Sequence, residues 1–140
     1  MAYQYVLVPR KNPARREEPA KYYAQARSGK KVDISTICKR VNQRSSYSVG
    51  ELEGTIGEFL VEIQNVLEEG NIVQLGRLGN FRLTIQTSQG TDTPKEFTTA
   101  NIKGCRVRFH ASAGLQAMCK SMKYSLHTKD KGIVDDPSDE

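Results

Sequence analysis

Tryptophan is absent from this 140-residue chain, histidine occurs twice and cysteine three times. Six Tyr and four Phe are the whole aromatic complement, and 37% of the residues are apolar. That suffices for one domain with a modest core, and a core of this kind is often completed by a second subunit. No apolar run approaches the roughly 20 residues that cross a bilayer as a helix. The opening "YQYVLV" is too short for a signal-peptide core, has no basic segment before it and runs straight into Pro9 and Arg10. A cytoplasmic location is therefore expected.

The rare residues also carry no chemistry. Cys38, Cys105 and Cys119 share no CxxC or CxxxC spacing and stand among apolar neighbours, so they are expected to be buried, reduced thiols. His110 ends a strand-like run and His127 lies in a polar tail, neither near a metal-binding or nucleophilic partner in sequence. There is no Gly-rich phosphate loop, no persuasive Ser/His/Asp order and no suggestive carboxylate pair. The expectation is a non-enzyme with no cofactor, no metal and no small-molecule substrate.

The net charge of +5 is modest, but it is unevenly spread. Residues 1–31 carry Arg10, Lys11, Arg15, Arg16, Lys21, Arg27, Lys30 and Lys31 against Glu17 and Glu18 alone. Residues 45–70 carry six Glu and no base, whereas 101–110 carry Lys103, Arg106 and Arg108 and no acid. The final "DKGIVDDPSDE" is acidic and reads as disordered. Basic segments around an acidic middle fit a polyanion-binding face, and they fit a solvated mixed-charge surface equally well.

Periodicity places the elements. "YQYVLVP" alternates as a short strand stopped by Pro9, a basic connector with Pro13 and Pro19 follows, and "KYYAQARSGKK" reads as a second short strand. Ile34, Ile37, Cys38 and Val41 predict a helix over about 33–44 with Asp33 as its cap. Ser48 and Glu51 form a capping box for a longer helix. Its apolar stripe runs from Val49 to Leu67, and Gly70 is a natural stop. Gly54 and Gly57 fit either close approach of another helix or ordinary tolerance. "NIVQL" is a short strand. "NFRLTIQT" and "IKGCRVRFHA" then alternate, setting Phe81, Leu83, Ile85, Cys105, Val107 and Phe109 against a cationic face with Arg82, Arg106 and Arg108. "SAGLQAMCKSMKY" closes the fold as a short helix capped by Ser112, with Met118 and Met122 inward. The order is α+β with local connections and one thin sheet, leaving apolar surface for a dimer partner.

At "GNIVQLGRLGNFRL" the sequence resembles the HU/IHF family of bacterial histone-like DNA-binding proteins. Gly79, Asn80 and Phe81 match the family's Gly-x-Gly-x-Phe-type turn from its second Gly, while Arg77 stands where the first Gly would be. The resemblance runs from about Asp33 to Tyr124, and the leader "YQYVLVPRKNPARREEPAKYYA" resembles the extended Bacteroidetes-type branch. It implies an α+β, IHF-like DNA-binding fold: a two-helix base, a three-stranded antiparallel sheet with a β-ribbon arm, and a short C-terminal helix, as an intertwined homodimer. The domains expected are a basic leader at 1–31, an HU-like domain at 32–125 and a disordered acidic tail at 126–140.

Such a protein is an architectural, nucleoid-associated partner of double-stranded DNA with little base readout. Its arm tip carries a proline that wedges between base steps. Pro94 sits close to that position here, followed by Lys95 inside "TSQGTDTPKEFT", but Asp92 and Glu96 outnumber Lys95. A plain hairpin-turn role for Pro94 is therefore the better expectation, with milder bending. Phosphate contacts then fall to Arg82, Lys103, Arg106 and Arg108, and to the leader's Arg10, Lys11, Arg15, Arg16, Lys30 and Lys31. The alternative is an HU-fold protein-interaction or scaffold module with weak or no DNA binding.

Overall fold

The computed structural model of the chain describes residues 2–127. It falls into two compact units: residues 2–31 with 120–127, and Val32–Cys119.

The larger unit begins with α1 (Ile34–Asn42) and α2 (Val49–Glu68). Asp33 caps α1, accepting the Thr36 N–H at 2.8 Å. Ser48 and Glu51 close the capping box on α2, with Glu51 N–H to Ser48 Oγ at 3.1 Å and Ser48 N–H to Glu51 Oε2 at 2.9 Å. Gly70, at φ +81°, ends the helix in a conformation that other residues rarely adopt. Three antiparallel strands follow in the order β3 (Val73–Gln74), β4 (Gly79–Thr87) and β5 (Ile102–Ala111). Then α3 (Ala113–Lys120) starts at Ser112, whose hydroxyl accepts the Leu115 N–H and donates to the Arg77 carbonyl at 2.6 Å. The helix ends at Lys120, so Met122 lies beyond it, and Met118 is 52% exposed.

Gly79 is where the sheet is most tightly specified. Its φ is +140°, and a Cβ there would collide with the His110 carbonyl oxygen and come within 2.9 Å of the Phe109 ring. The strand can pass this point only without a side chain. By contrast, a Cβ on Gly54 or Gly57 would meet nothing within 4 Å in the chain, so any close approach at those glycines would have to come from elsewhere.

The smaller unit is a second sheet, in the order β2-β1-β6, formed by β1 (Tyr3–Arg10), β2 (Lys21–Ala26) and β6 (Tyr124–Leu126). β1 and β2 are an antiparallel hairpin, Tyr5 opposite Ala26 through Arg10 opposite Lys21. β6 lies parallel to β1, Tyr3 opposite Tyr124 and Tyr5 opposite Leu126. Two sheets thus replace the single one expected, and the connections are not all local. The missing element is "YSL", three residues too short to show a period, paired with a strand at the far end of the sequence. Of the expected acidic tail, Leu126 closes β6 and His127 donates its N–H to Tyr5 O at 2.8 Å. Residues 128–140 lie outside the described residues.

Burial is sparse. Among the described residues the buried apolar side chains are Val8 in the smaller unit and Cys38, Leu67 and Val73 in the larger. An open groove of about 530 Å³ runs between α1, α2 and the β3-β4-β5 sheet, with Ile37, Phe59, Leu60, Ile63, Phe81 and Val107 on its walls. Cys38 is the buried thiol expected; Cys105 and Cys119 are exposed instead. Cys105 sits on the apolar face of the β4–β5 ribbon, opposite Ile85, and no described residue covers that end of the ribbon: Ile85 is 68% exposed.

Candidate nucleic-acid interface

The β4–β5 ribbon sorts its side chains by parity. Phe81 faces Phe109, Leu83 faces Val107 and Ile85 faces Cys105 on one side. The Phe81 and Phe109 rings are 4.8 Å apart, tilted by 39°, an arrangement worth about 0.5–1.5 kcal/mol beyond the area buried. On the other side Arg82 faces Arg108, Thr84 faces Arg106 and Asn80 faces His110. Three exposed guanidinium groups therefore share one face with no acid among them, and no ion pair among the described residues engages them. Two like charges directly opposite each other oppose strand pairing, so the apolar face has to offset their repulsion.

Lys103 is not in this row. The ladder steps from Gly104 opposite Gln86 to Ile102 opposite Thr87, which leaves Lys103 as the extra residue of a bulge. Parity already separates Lys103 from Arg106 and Arg108; what alternation could not show is the bulge.

Beyond Thr87 the ribbon stops being a ribbon. Residues 88–101 fold back on themselves in two 3-10 turns, Pro94–Glu96 and Thr99–Asn101. Ser88 bonds the Asn101 carbonyl through both its N–H (2.9 Å) and its hydroxyl (3.1 Å). The Thr91 hydroxyl donates to Thr93 O at 2.8 Å, and the Thr98 N–H to Asn101 Oδ1 at 3.0 Å. Pro94 is the first residue of its turn, a place where its fixed φ and missing N–H cost nothing. Pro94 and Lys95 are both exposed, in company with Asp92 and Glu96. The Thr-rich stretch is thus a compact, self-bonded cap on the ribbon.

The leader's cations lie in the smaller unit. Arg10 ends β1, Lys11 follows it, and Arg15 and Arg16 sit in the connection to β2. The Arg10 guanidinium lies 5.9 Å from the centre of the Tyr23 ring. Arg15 pairs with Glu18 at 3.1 Å across exposed surface, an interaction worth about 0–1 kcal/mol. Lys30 and Lys31 are exposed and belong to no helix or strand. The predicted residues therefore form two groups, Arg82, Arg106 and Arg108 on the ribbon and Arg10, Lys11, Arg15 and Arg16 on the hairpin, with Lys30, Lys31, Pro94, Lys95 and Lys103 outside both. Sequence reasoning did not single out Lys21 and Tyr23, which flank Arg10 at the hairpin end; pairing across the hairpin was the signal needed.

Among the described residues no group of three or more His, Cys, Asp or Glu could hold a metal ion, and no helix is long and apolar enough to cross a membrane. What the described surface offers is exposed positive charge on the β-ribbon and the hairpin, with Arg15 ion-paired to Glu18.

That architecture has relatives. The chain matches the HU-HIG family, described as an HU domain fused to a wHTH, Ig or glycine-rich motif, over residues 1–126, and it belongs to that family. No curated protein matches it. A solved structure from Bacteroides vulgatus ATCC 8482, of a bacterial protein to which DNA binding is ascribed, superposes with a TM-score of 0.65 at 13% identity. The match covers 94% of this chain and 50% of that one, so this chain spans about half the length of that relative.

Proposed function

We propose that this chain is an architectural protein that binds double-stranded DNA through phosphate contacts, with little reading of base sequence. The observation that carries the proposal is the row formed by Arg82, Arg106 and Arg108, exposed on one ribbon face and free of acidic neighbours there. Such a row costs pairing energy in a free protein and gains when a polyanion neutralises it. Membership of a family built on the HU domain, and the DNA binding ascribed to the Bacteroides relative, support the same reading. The hairpin's Arg10, Lys11, Arg15 and Arg16, with Lys30, Lys31, Lys95 and Lys103, are proposed as further backbone contacts, and the role is non-catalytic and nucleoid-associated.

The working form proposed is an intertwined, IHF-like homodimer. Its support is the apolar groove on the helical base, with Phe59 52% and Val107 58% exposed in a single chain. The domain division proposed is leader 1–31, HU-like domain 32–125 and acidic tail 126–140, with β6 contributing to the leader's sheet through its pairing with β1.

One observation favours a second reading, an interaction or scaffold module that does not grip DNA. The folded cap at 88–101 carries Asp92 and Glu96 against Lys95, the wrong sign for a phosphate clasp. A gel shift on random linear, nicked and four-way-junction duplex over a salt series separates the two. Under the DNA reading, log affinity falls with log salt by about 0.9 for each phosphate neutralised. Absence of binding at low salt, or binding unchanged by charge reversal at Arg106 and Arg108, would leave the scaffold reading standing alone.

A further inference from the structure

The smaller sheet directs the chain that follows it. β6 runs parallel to β1, and the last described bond, His127 N–H to Tyr5 O at 2.8 Å, continues that ladder. At His127 the described chain is therefore running beside Tyr5 in the direction of β1, the strand that leads to Arg10 and the β1–β2 connection.

That connection is where the unit's positive charge gathers. Arg10, Lys11, Arg15, Arg16 and Lys21 face only Glu17 and Glu18, and Glu18 is already bonded to Arg15. A cleft of about 360 Å³ opens there, with Arg10, Lys11, Lys21 and Tyr23 among its walls. The sequence that follows is of opposite charge: from Gly132 to Glu140 it holds Asp135, Asp136, Asp139 and Glu140 and no base.

The lengths agree as well. From Tyr5 to Arg10 the strand advances about 17 Å, at about 3.3 Å per residue. From His127 to Asp135 an extended chain reaches up to about 28 Å. Lys129 and Lys131 precede the four acids in sequence, and the reach to Asp135 exceeds the distance from Tyr5 to Arg10.

We propose that the acidic segment Asp135–Glu140 docks on the basic end of the β1–β2 hairpin and competes there with DNA phosphates. The docking stands on charge, direction and reach alone; the competition rests on the DNA-binding reading above. The segment acts as a counterion built into the chain: it shields the hairpin in the free protein and is displaced when a denser polyanion arrives. Because both contacts are electrostatic, salt weakens both.

The test uses the full-length chain and one variant of it, Asp135→Asn, Asp136→Asn, Asp139→Asn and Glu140→Gln together. Carbodiimide condensation of amines with carboxylates at low salt, without DNA, is expected to join Lys11 or Lys21 to the acidic segment. Links only to Lys95 or Lys103, or none at all, would overturn the docking. Mixing isotopically light and heavy chains reads whether the linked hairpin is the segment's own; links found solely between chains overturn the same-chain form. On random duplex at low salt the variant is expected to bind roughly five-fold more tightly. That gain should vanish when Arg15→Ala and Arg16→Ala are added. Crosslinks together with equal affinity would overturn the competition. Crosslinks with no duplex binding by either form would support the docking and count against the DNA reading instead.

Discussion

Arg82 and Arg108 stand directly opposite each other on the exposed face of the β4–β5 ribbon, with no ion pair to either among the described residues. Neither guanidinium holds the fold through an ion pair among the described residues, and the ribbon's aromatic contact lies on the other face. Neutralising either residue is therefore expected to act in opposite directions on stability and binding. Arg82→Gln or Arg108→Gln should raise unfolding stability by a few tenths of a kcal/mol, up to about 1 kcal/mol, by removing the cross-strand repulsion. The same change should lower duplex affinity and reduce the slope of log affinity against log salt by about 0.9. Chemical denaturation and a binding series at four or five salt concentrations read the two quantities. Loss of both stability and affinity would mean that the arginines hold the ribbon together.

Gly79 makes a sharper stability prediction. A methyl group there meets the His110 carbonyl and the Phe109 ring at a φ of +140°. Gly79→Ala should cost about 3 kcal/mol or more, combining backbone strain with a clash that the paired strand cannot relieve. Gly76 is the control: it also has positive φ, +51°, but nothing within 4 Å of the added carbon. Gly76→Ala should cost about 1–2 kcal/mol from conformation alone. Urea unfolding of the two variants should rank them in that order.

How the sequence reading fared at these positions has a physical pattern. Local signals were readable: the Ser48–Glu51 box, the Gly70 stop and the two-sided alternation of β4 and β5 all depend on residues within a few positions of one another. The row Arg82, Arg106, Arg108 followed from that alternation. Lys103 was grouped with them on charge, as a base in the same acid-free segment, although parity sets it apart from Arg106 and Arg108 and the bulge takes it out of the ladder. The sheet β2-β1-β6 was missed as a sheet because its third strand is three residues long and pairs across almost the whole chain. The segment 88–101 showed only its composition, whereas its two turns are held by specific Ser, Thr and Asn hydrogen bonds. Cys105 and Cys119 were expected to be buried because their neighbours are apolar, but no described residue covers them and both are exposed.

The helix caps predict acid sensitivity. The side chain and backbone of Thr36 hold the Asp33 carboxyl below its ordinary range, and the backbone and side chain of Ser48 do the same for Glu51. In each case the unfolded chain binds the proton more readily than the folded one. The stability these caps contribute is complete above the unfolded carboxyl values, about pH 4 and higher, and is lost as pH falls through the lower folded values. Helical circular dichroism at a fixed, partly denaturing urea concentration should thus fall as the pH drops below about 4. Asp33→Asn and Glu51→Gln together should flatten that part of the curve. A curve unchanged by the double substitution would place the acid sensitivity elsewhere.

The groove on the helical base predicts the oligomeric state. Phe59 and Val107 line it, are both about half exposed in the single chain, and lie on α2 and β5 respectively. Phe59→Asp should convert a dimer to a monomer in sedimentation velocity, because burying an unpaired carboxylate in an apolar interface costs several kcal/mol. Glu58→Asp, one residue away and outside the groove's lining, should leave the association unchanged. If the unmodified chain sediments as a monomer at micromolar concentration, the groove has another occupant and the dimer proposal fails.

Pro94 is the last position to separate the possible roles of the ribbon's end. A wedge must enter between base pairs, which needs an apolar residue at the tip and cations beside it to hold the flanking phosphates. Here the proline opens a 3-10 turn whose cap residue, Thr93, accepts the Glu96 N–H and the Thr91 hydroxyl through its carbonyl. The neighbours Asp92 and Glu96 would repel the phosphates such a wedge must approach. Pro94 has a local reason to be where it is, since the turn uses its fixed φ and does not need its N–H. Pro94→Ala is therefore expected to leave DNA bending, read by fluorescence transfer between the ends of a short duplex, within error of the parent. Its cost should appear in folding instead, about 0.4–1 kcal/mol through greater freedom of the unfolded chain. Arg106→Ala on the same duplex should lower affinity while the folded state is retained. A clear loss of bend angle in Pro94→Ala, with affinity for straight duplex preserved, would restore the wedge and move the working surface from the ribbon's face to its tip.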